Sequence, residues 1–302
     1  MKNNSLWSPR YWGLWATLAL LRLLVFLPLS VQLRLGRQLG QLVWLSKRRT
    51  HIARVNLQRC FPDKDAPEIE ALIKAHYASL GMALFETASS WWMSDKRLEK
   101  RIKFFGIERL LNANENKQAV ILFTAHFTTV EMGGRFMSMK TGHIPGNVVY
   151  RPNENPVLQK VIFDNRQKHF AKPIGKDDIR SMLRALRKKE VVWYAPDQNY
   201  SGSYSAFAPF FGLPASTNTA TSKLAEISDA VVLPFVLKRV SDEGYYELHV
   251  MEALENYPSG DEIADATRTN KIIEDWAYQY PEQYLWIHRR FKTQPEGEDS
   301  FY

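Results

Sequence analysis

Short apolar runs alternate with amphipathic stretches through the second half of this chain, and that alternation limits the fold more than any other feature. The runs lie at 119–125, Val148 to Tyr150, Val191 to Ala195, Val231 to Leu237 and Tyr245 to Val250. Helical periodicity fills 128–140, 156–170, 177–189 and 217–228 between them. Strands and helices in this order predict an α/β fold, with a mostly parallel sheet covered by helices on both faces. An earlier helical stretch, 66–94, ends in Trp91-Trp92-Met93, and a last helix is expected from Asp261 to Tyr278. Residues 50–64 read as a polar connector ending in Phe61-Pro62-Asp63, and 293–302 as a frayed tail. The 302 residues are enough for one large domain or two ordinary ones.

The N-terminus has a different character. Tyr11 to Leu29 is a nineteen-residue apolar stretch carrying one charge, Arg22. It is long enough to span a bilayer and too long for the core of a signal peptide. Arg22 at mid-span costs about 3 kcal/mol on insertion scales, so a helix lying in the interface stays open beside a spanning one. A buried core helix is the third reading. Trp7, Tyr11, Trp12 and Trp15 stand where an aromatic belt would be. Arg34, Arg37, Lys47, Arg48, Arg49 and Arg54 follow, and this excess of positive charge marks the next segment as cytoplasmic. The expected division is a membrane-anchor helix over residues 1–33 and a folded domain over 34–302.

Charge and cysteine content narrow the chemistry. The net charge of +8 favours anionic partners. A lone cysteine, Cys60, excludes an intramolecular disulfide and a cysteine-built metal cage. The seven histidines are scattered, without His-x-x-x-His or His-Glu-x-x-His spacing, so no metal is expected. No glycine-rich phosphate loop, no Gly-x-Ser-x-Gly elbow and no recognised nucleic-acid motif is present.

The run 119–125 delivers His126 at its end, where open α/β sheets place their ligands. Glu131 follows five residues later. A histidine held by a carboxylate suits removal of a hydroxyl proton near neutral pH. In one continuous helix the two side chains would point about 140° apart, so they can meet only if His126 lies outside the helix and Glu131 in its first turn. Thr128-x-x-Glu131 fits a capping box, which allows that arrangement. The same residues also read more plainly, with His126 bonded to backbone and Glu131 serving only as the capping acid. Arg151 and Asp197 follow two other apolar runs, so a parallel sheet would bring them to the same rim. Arg151 suits a phosphate, or else a salt bridge to Glu154 or Asp197. Asp197 suits a substrate-binding role or a loop cap. Phe210 to Thr217 reads as a tight turn leading into a helix.

Taken in order, several segments resemble one family. They are the N-terminal hydrophobic stretch, His126-x4-Glu131, Tyr150-Arg151-Pro152-Asn153 and Pro196-Asp197-Gln198. Phe211-Gly212-x-Pro214-Ala215-x-Thr217 and Trp286-x-His288-Arg289-Arg290-Phe291-Lys292 complete the set. The ordered set is similar to that of the lipid A lauroyl/myristoyl acyltransferases of Gram-negative bacteria, part of the wider group of glycerolipid acyltransferases. Many glycerolipid acyltransferases carry Asp where this chain has Glu131, which favours the lipid A branch.

The resemblance implies transfer of a C12–C14 fatty acyl chain from acyl carrier protein to a hydroxyl of a phosphorylated lipid A precursor of the Kdo2-lipid IVA type. That hydroxyl belongs to an acyl chain already on the sugar. His126 and Glu131 would be catalytic, as general base and orienting acid. Arg151 would hold the phosphorylated acceptor or stabilise charge at the thioester carbonyl, and Asp197 would belong to the substrate site. No cofactor and no covalent acyl-enzyme is implied. The protein would sit at the inner membrane with its catalytic domain on the cytoplasmic face. Two other readings remain at this point: an acyltransferase for a lysophospholipid or glycolipid, and a non-enzymatic module for anionic lipid.

Overall fold

The computed structural model describes residues 6–44, 47–142, 144, 146–169 and 172–302. The first five residues of the expected anchor, and residue 170 of the expected helix 156–170, lie outside these. Among the described residues the helices are α1 (Trp12–Leu24), α2 (Leu29–Val43), α3 (Lys47–Cys60), α4 (Ala66–Trp92), α5 (Asp95–Leu98) and α6 (Ile107–Glu115). They continue with α7 (Val130–Thr141), α8 (Pro156–Gln167), α9 (Ile179–Arg187), α10 (Ala220–Ser228) and α11 (Glu262–Gln279). The strands are β1 (Ile102–Phe105), β2 (Ala119–Phe123), β3 (Gly146–Tyr150), β4 (Lys172–Gly175), β5 (Val191–Tyr194), β6 (Ser205–Phe210), β7 (Leu213–Asn218), β8 (Ala230–Ser241) and β9 (Tyr245–Val250).

Seven strands form one sheet in the order β1-β9-β8-β2-β5-β3-β4. Every pair in it is parallel except β8–β9. The expected mostly parallel α/β architecture is therefore present. The central strand β2 explains why both faces are covered. All five of its residues are buried, and side chains alternate across a strand. Ala119, Ile121 and Phe123 enter a core with residues of α9, α10 and α11, while Val120 and Leu122 enter a second core with residues of α4, α6 and α7. A continuous apolar run of this kind is what a doubly covered parallel strand requires.

The structure overturns the expected membrane-anchor helix over residues 1–33. Among the described residues no helix is long and apolar enough to cross a membrane. The apolar stretch breaks into α1 and α2 at Pro28, which cannot continue a helix and disfavours helical backbone in the residue before it. The thirteen residues of α1 extend about 20 Å, against a hydrocarbon core of about 30 Å. The break is built into the fold. The carbonyls of Val25 and Leu27 accept hydrogen bonds from buried Gln32 and from Arg97. Beyond it, Gly36 and Gly40 of α2 press against α4 so closely that a Cβ on either would strike the backbone of Tyr77 or Gly81.

Two further expectations change. Most of the supposed connector 50–64 is α3, whose Ile52, Ala53, Leu57 and Cys60 are buried at helical spacing. Phe210 to Thr217 is a hairpin, not a turn into a helix: Phe211 and Gly212 both have positive φ and join β6 to β7. That is the backbone of a two-residue hairpin loop.

Candidate active site

Strand register brings the first two site residues together. Phe123 of β2 lies opposite Tyr194 of β5. His126 and Asp197 each stand three residues beyond that pair, so they leave the rim side by side. The Thr124 N–H donates to the Tyr194 carbonyl at 3.0 Å and continues the strand contact one step further.

Asp197 takes hold of His126 with both oxygens. His126 Nδ1 lies 2.6 Å from Asp197 Oδ1, and the backbone N–H of His126 donates to Oδ2 at 3.0 Å. Asp197 is 3% exposed, whereas the His126 side chain keeps 35% of its surface open. With Nδ1–H bonded to the carboxylate, Nε2 is left to accept a proton. Burial by itself would lower the basicity of His126. The negative charge and hydrogen bond of Asp197 override it and hold the imidazole above its ordinary value, with Arg166 opposing. Burial likewise pushes the Asp197 carboxyl up. His126 and the Arg290 charge outweigh that and keep it below the ordinary carboxylate range.

The turn carrying His126 is fastened from two sides. The His126 carbonyl accepts from Leu285 N–H, and the Gln283 carbonyl accepts from Thr128 N–H. The Thr128 hydroxyl lies 2.8 Å from Ser79 Oγ on α4. Ser79 also accepts from Arg239, which is bound to the carboxylate of fully buried Glu86. Removing one partner of such a buried pair strands a charge, so this network ties the position of the turn to the stability of the fold.

Glu131 does not meet His126. It lies in the first turn of α7 and pairs with Arg166 from the last turn of α8. Arg166 Nε lies 3.5 Å from Glu131 Oε2, and the second contact, from the guanidinium to Oε1, is shorter. The capping box is absent as well: Thr129 is the N-cap and makes no side-chain cap bond. Neither sequence reading of Glu131 therefore describes its partner. Arg166 carried no distinctive local signal, because it is one of many basic residues on a helix face. Its guanidinium also sits over the Tyr150 ring, 5.7 Å from the centroid.

Arg151 lies at the far edge, 74% exposed, with Glu154 as its ion-pair partner at 3.6 Å. Between it and His126 opens a cavity of about 450 Å³, also lined by Lys176, Tyr194, Tyr200, Asn199 and His288. His288 and Arg290 come from the segment Trp286 to Lys292, whose sequence pattern assigns neither an individual role. Arg290 is buried behind Asp197 and donates to the Ser216 carbonyl and the Thr217 hydroxyl.

Comparison with known proteins shows the family. Residues 1–293 match the family described as bacterial lipid A biosynthesis acyltransferase. The lipid A biosynthesis palmitoleoyltransferase of Escherichia coli (strain K12) is 40% identical over 296 residues, covering 97% of this chain and 95% of that protein. The lipid A biosynthesis lauroyltransferase of the same strain is 37% identical over 302 residues, covering 99% and 98%. A lipid A biosynthesis acyltransferase of Haemophilus influenzae (strain ATCC 51907 / DSM 11121 / KW20 / Rd) is 35% identical over 294 residues, covering 96% and 93%. The match spans the His126 turn, the Asp197 loop and the Trp286–Lys292 segment alike, and the chain belongs to the bacterial lipid A biosynthesis acyltransferase family.

Proposed function

We propose that this acyltransferase moves a fatty acyl chain from acyl carrier protein onto the hydroxyl of an acyl chain already carried by a phosphorylated lipid A precursor. The observation that carries the reading is the His126–Asp197 pair, whose imidazole lines an open cavity. His126 Nε2 takes the hydroxyl proton as the oxygen attacks the thioester carbon. Asp197 fixes the imidazole tautomer and stabilises the imidazolium that forms. The C–S bond then breaks, and the departing thiolate takes the proton from His126. No step needs an enzyme nucleophile. Buried Cys60, whose thiol burial pushes up beyond any useful range, is unsuited to that role.

Glu131 acts in this reading through Arg166, holding a cation near the imidazole rather than orienting the imidazole itself. Arg151 and Lys176 offer two positive charges at the outer edge of the cavity, where acceptor phosphates would lie. The net charge of +8 suits an acidic donor protein. Exposed Trp12, Leu20, Leu23 and Phe26 give the N-terminal region an apolar surface, and Arg10, Arg22 and Arg34 of the same region are exposed as well. That combination supports seating on the anionic cytoplasmic face of the inner membrane. The relatives are named for palmitoleoyl and lauroyl transfer, and our reading for this chain is the lauroyl to myristoyl range. Mass spectrometry of lipid A from cells with and without the gene tests the proposal. Loss of one acyl chain of that length supports it, and unchanged lipid A contradicts it.

A further inference from the structure

The site holds a second histidine that the mechanism above leaves unused. His288 lines the same cavity as His126 and also the narrow cleft behind it, beside Asp197 and Tyr284. Its backbone is pinned. The carbonyl accepts from Asn56 Nδ2 at 2.8 Å and from the Arg290 N–H at 2.9 Å. Its ring is oriented too, because Nε2 accepts the Asn199 backbone N–H at 3.1 Å. A ring nitrogen that accepts cannot carry the proton, so in neutral His288 the hydrogen is on Nδ1. Among the described residues no protein group takes that hydrogen, and Nδ1 is not among the buried atoms without a partner. The fold thus leaves an oriented, uncommitted N–H donor on a ring that lines the cavity in which His126 works.

We infer that His288 is a second catalytic imidazole, which stays neutral and donates its Nδ1–H to the oxygen of the acyl thioester as negative charge builds there. The inference rests on the acyl-transfer reading of this site. The electron count is simple. The hydroxyl oxygen bonds to the thioester carbon, its proton passes to His126 Nε2, and the carbonyl π pair moves onto oxygen, where the His288 donor meets it. When the pair returns, the C–S bond breaks and sulfur receives the proton from His126. His288 neither gains nor loses a proton. Its surroundings favour that division of labour: burial, with the nearby charges of His126, Arg290 and Arg49, outweighs Asp197 and pushes His288 down to about 4. His126 is held above its ordinary value, so of the two imidazoles it is the one that takes up the hydroxyl proton while His288 stays neutral. A neutral imidazole used as an electrophile is a known device in enzyme sites.

Two substitutions separate catalysis from architecture. Asn places an amide N–H near the position of Nδ1 and abandons the bond from Asn199. Gln places its amide near the position of Nε2, keeps that bond and supplies nothing at Nδ1. Steady-state kinetics of the full-length protein, with acyl carrier protein thioester and lipid A precursor, should show His288→Gln losing about 10²-fold or more in kcat, the usual cost of one oxyanion donor. KM for both substrates should stay within a few-fold, and thermal melting should stay close to wild type. His288→Asn should retain kcat within about tenfold of wild type and keep the pH limb of His126. The opposite order, with Gln active and Asn dead, or equal losses in both, overturns the inference and makes His288 a structural residue. Wild-type protein without acyl transfer, or His126→Ala with full activity, brings down the underlying reading of the site and this inference with it.

Discussion

The two acidic residues that sequence places near His126 differ in what surrounds them. Asp197 is enclosed, 3% exposed, with its oxygens on the side chain and backbone of His126 and the charge of Arg290 behind it. Glu131 is partly buried in the first turn of α7, and its carboxylate is taken by Arg166. Five residues of chain separate Glu131 from His126, and seventy-one separate Asp197 from it. Yet the distant residue is the partner. A β-sheet explains this: strand register turns a large sequence separation into adjacency, whereas a short separation across a strand–helix turn can aim two side chains apart. Arg151, farther out and 74% exposed opposite a 93% exposed Glu154, marks the other extreme. Exposed pairs of that kind contribute little in water.

The comparison breaks first at His126. His126→Ala should lower turnover on the order of 10²–10⁴-fold, the range for loss of a general base, while KM for donor and acceptor changes little. Single-turnover rates with saturating substrates check it. A variant within a few-fold of wild type removes His126 from the chemistry.

Asp197→Asn should come next. It retains shape but loses the charge that holds the imidazole tautomer and supports the imidazolium, and turnover should fall by about 10²-fold or more. The pH dependence has a definite sign. His126 must be neutral to act as base, so activity rises with pH through its folded pKa, which Asp197 holds above the ordinary value. In Asp197→Asn that limb should move to lower pH. A limb that stays in place, in a protein whose turnover is preserved, would show that the pair is idle.

Glu131→Gln sharpens the contrast. It should cost less, about 10–100-fold, the equivalent of one charge-assisted hydrogen bond. The unpaired Arg166 should also shift the His126 limb to lower pH, because that guanidinium already opposes protonation of the imidazole. Wild-type rate and an unshifted limb would mean that the Glu131–Arg166 pair serves only to join α7 and α8.

These outcomes bear on how much of the site the sequence carried. His126 was legible because an apolar run ending in a histidine has few places to go in a parallel sheet. Asp197 was legible as a rim residue by the same logic, though not as the partner of His126, since register is not written in any local pattern. Glu131 invited two local readings, a base-orienting acid and a capping box, and the structure gives it a third partner from a helix that sequence reasoning left without a role. The division into α1 and α2 was concealed differently. Hydropathy shows a continuous apolar stretch, while the break depends on Pro28, on Gln32 one turn into α2 and on the distant Arg97, which accommodate the freed carbonyls. Helix α3 was missed because its charged face outweighs its buried one in composition.

The smallest effect belongs to the rim. Arg151→Lys keeps the charge and loses the planar fork, so acceptor KM should rise by a few-fold, with kcat and melting temperature nearly unchanged. Equal KM for phosphorylated and dephosphorylated acceptor in the wild type would remove the phosphate role from this residue.

The most direct test of the central claim, that Asp197 rather than Glu131 holds the catalytic imidazole, is a nitrogen-15 NMR titration of His126 in wild type, Asp197→Asn and Glu131→Gln. The account predicts a wild-type His126 that titrates above the ordinary histidine value, with its neutral form protonated on Nδ1. In Asp197→Asn the titration should fall to lower pH and the tautomer preference should be lost. In Glu131→Gln the tautomer should be preserved. A His126 whose tautomer survives in Asp197→Asn and is lost in Glu131→Gln would contradict it.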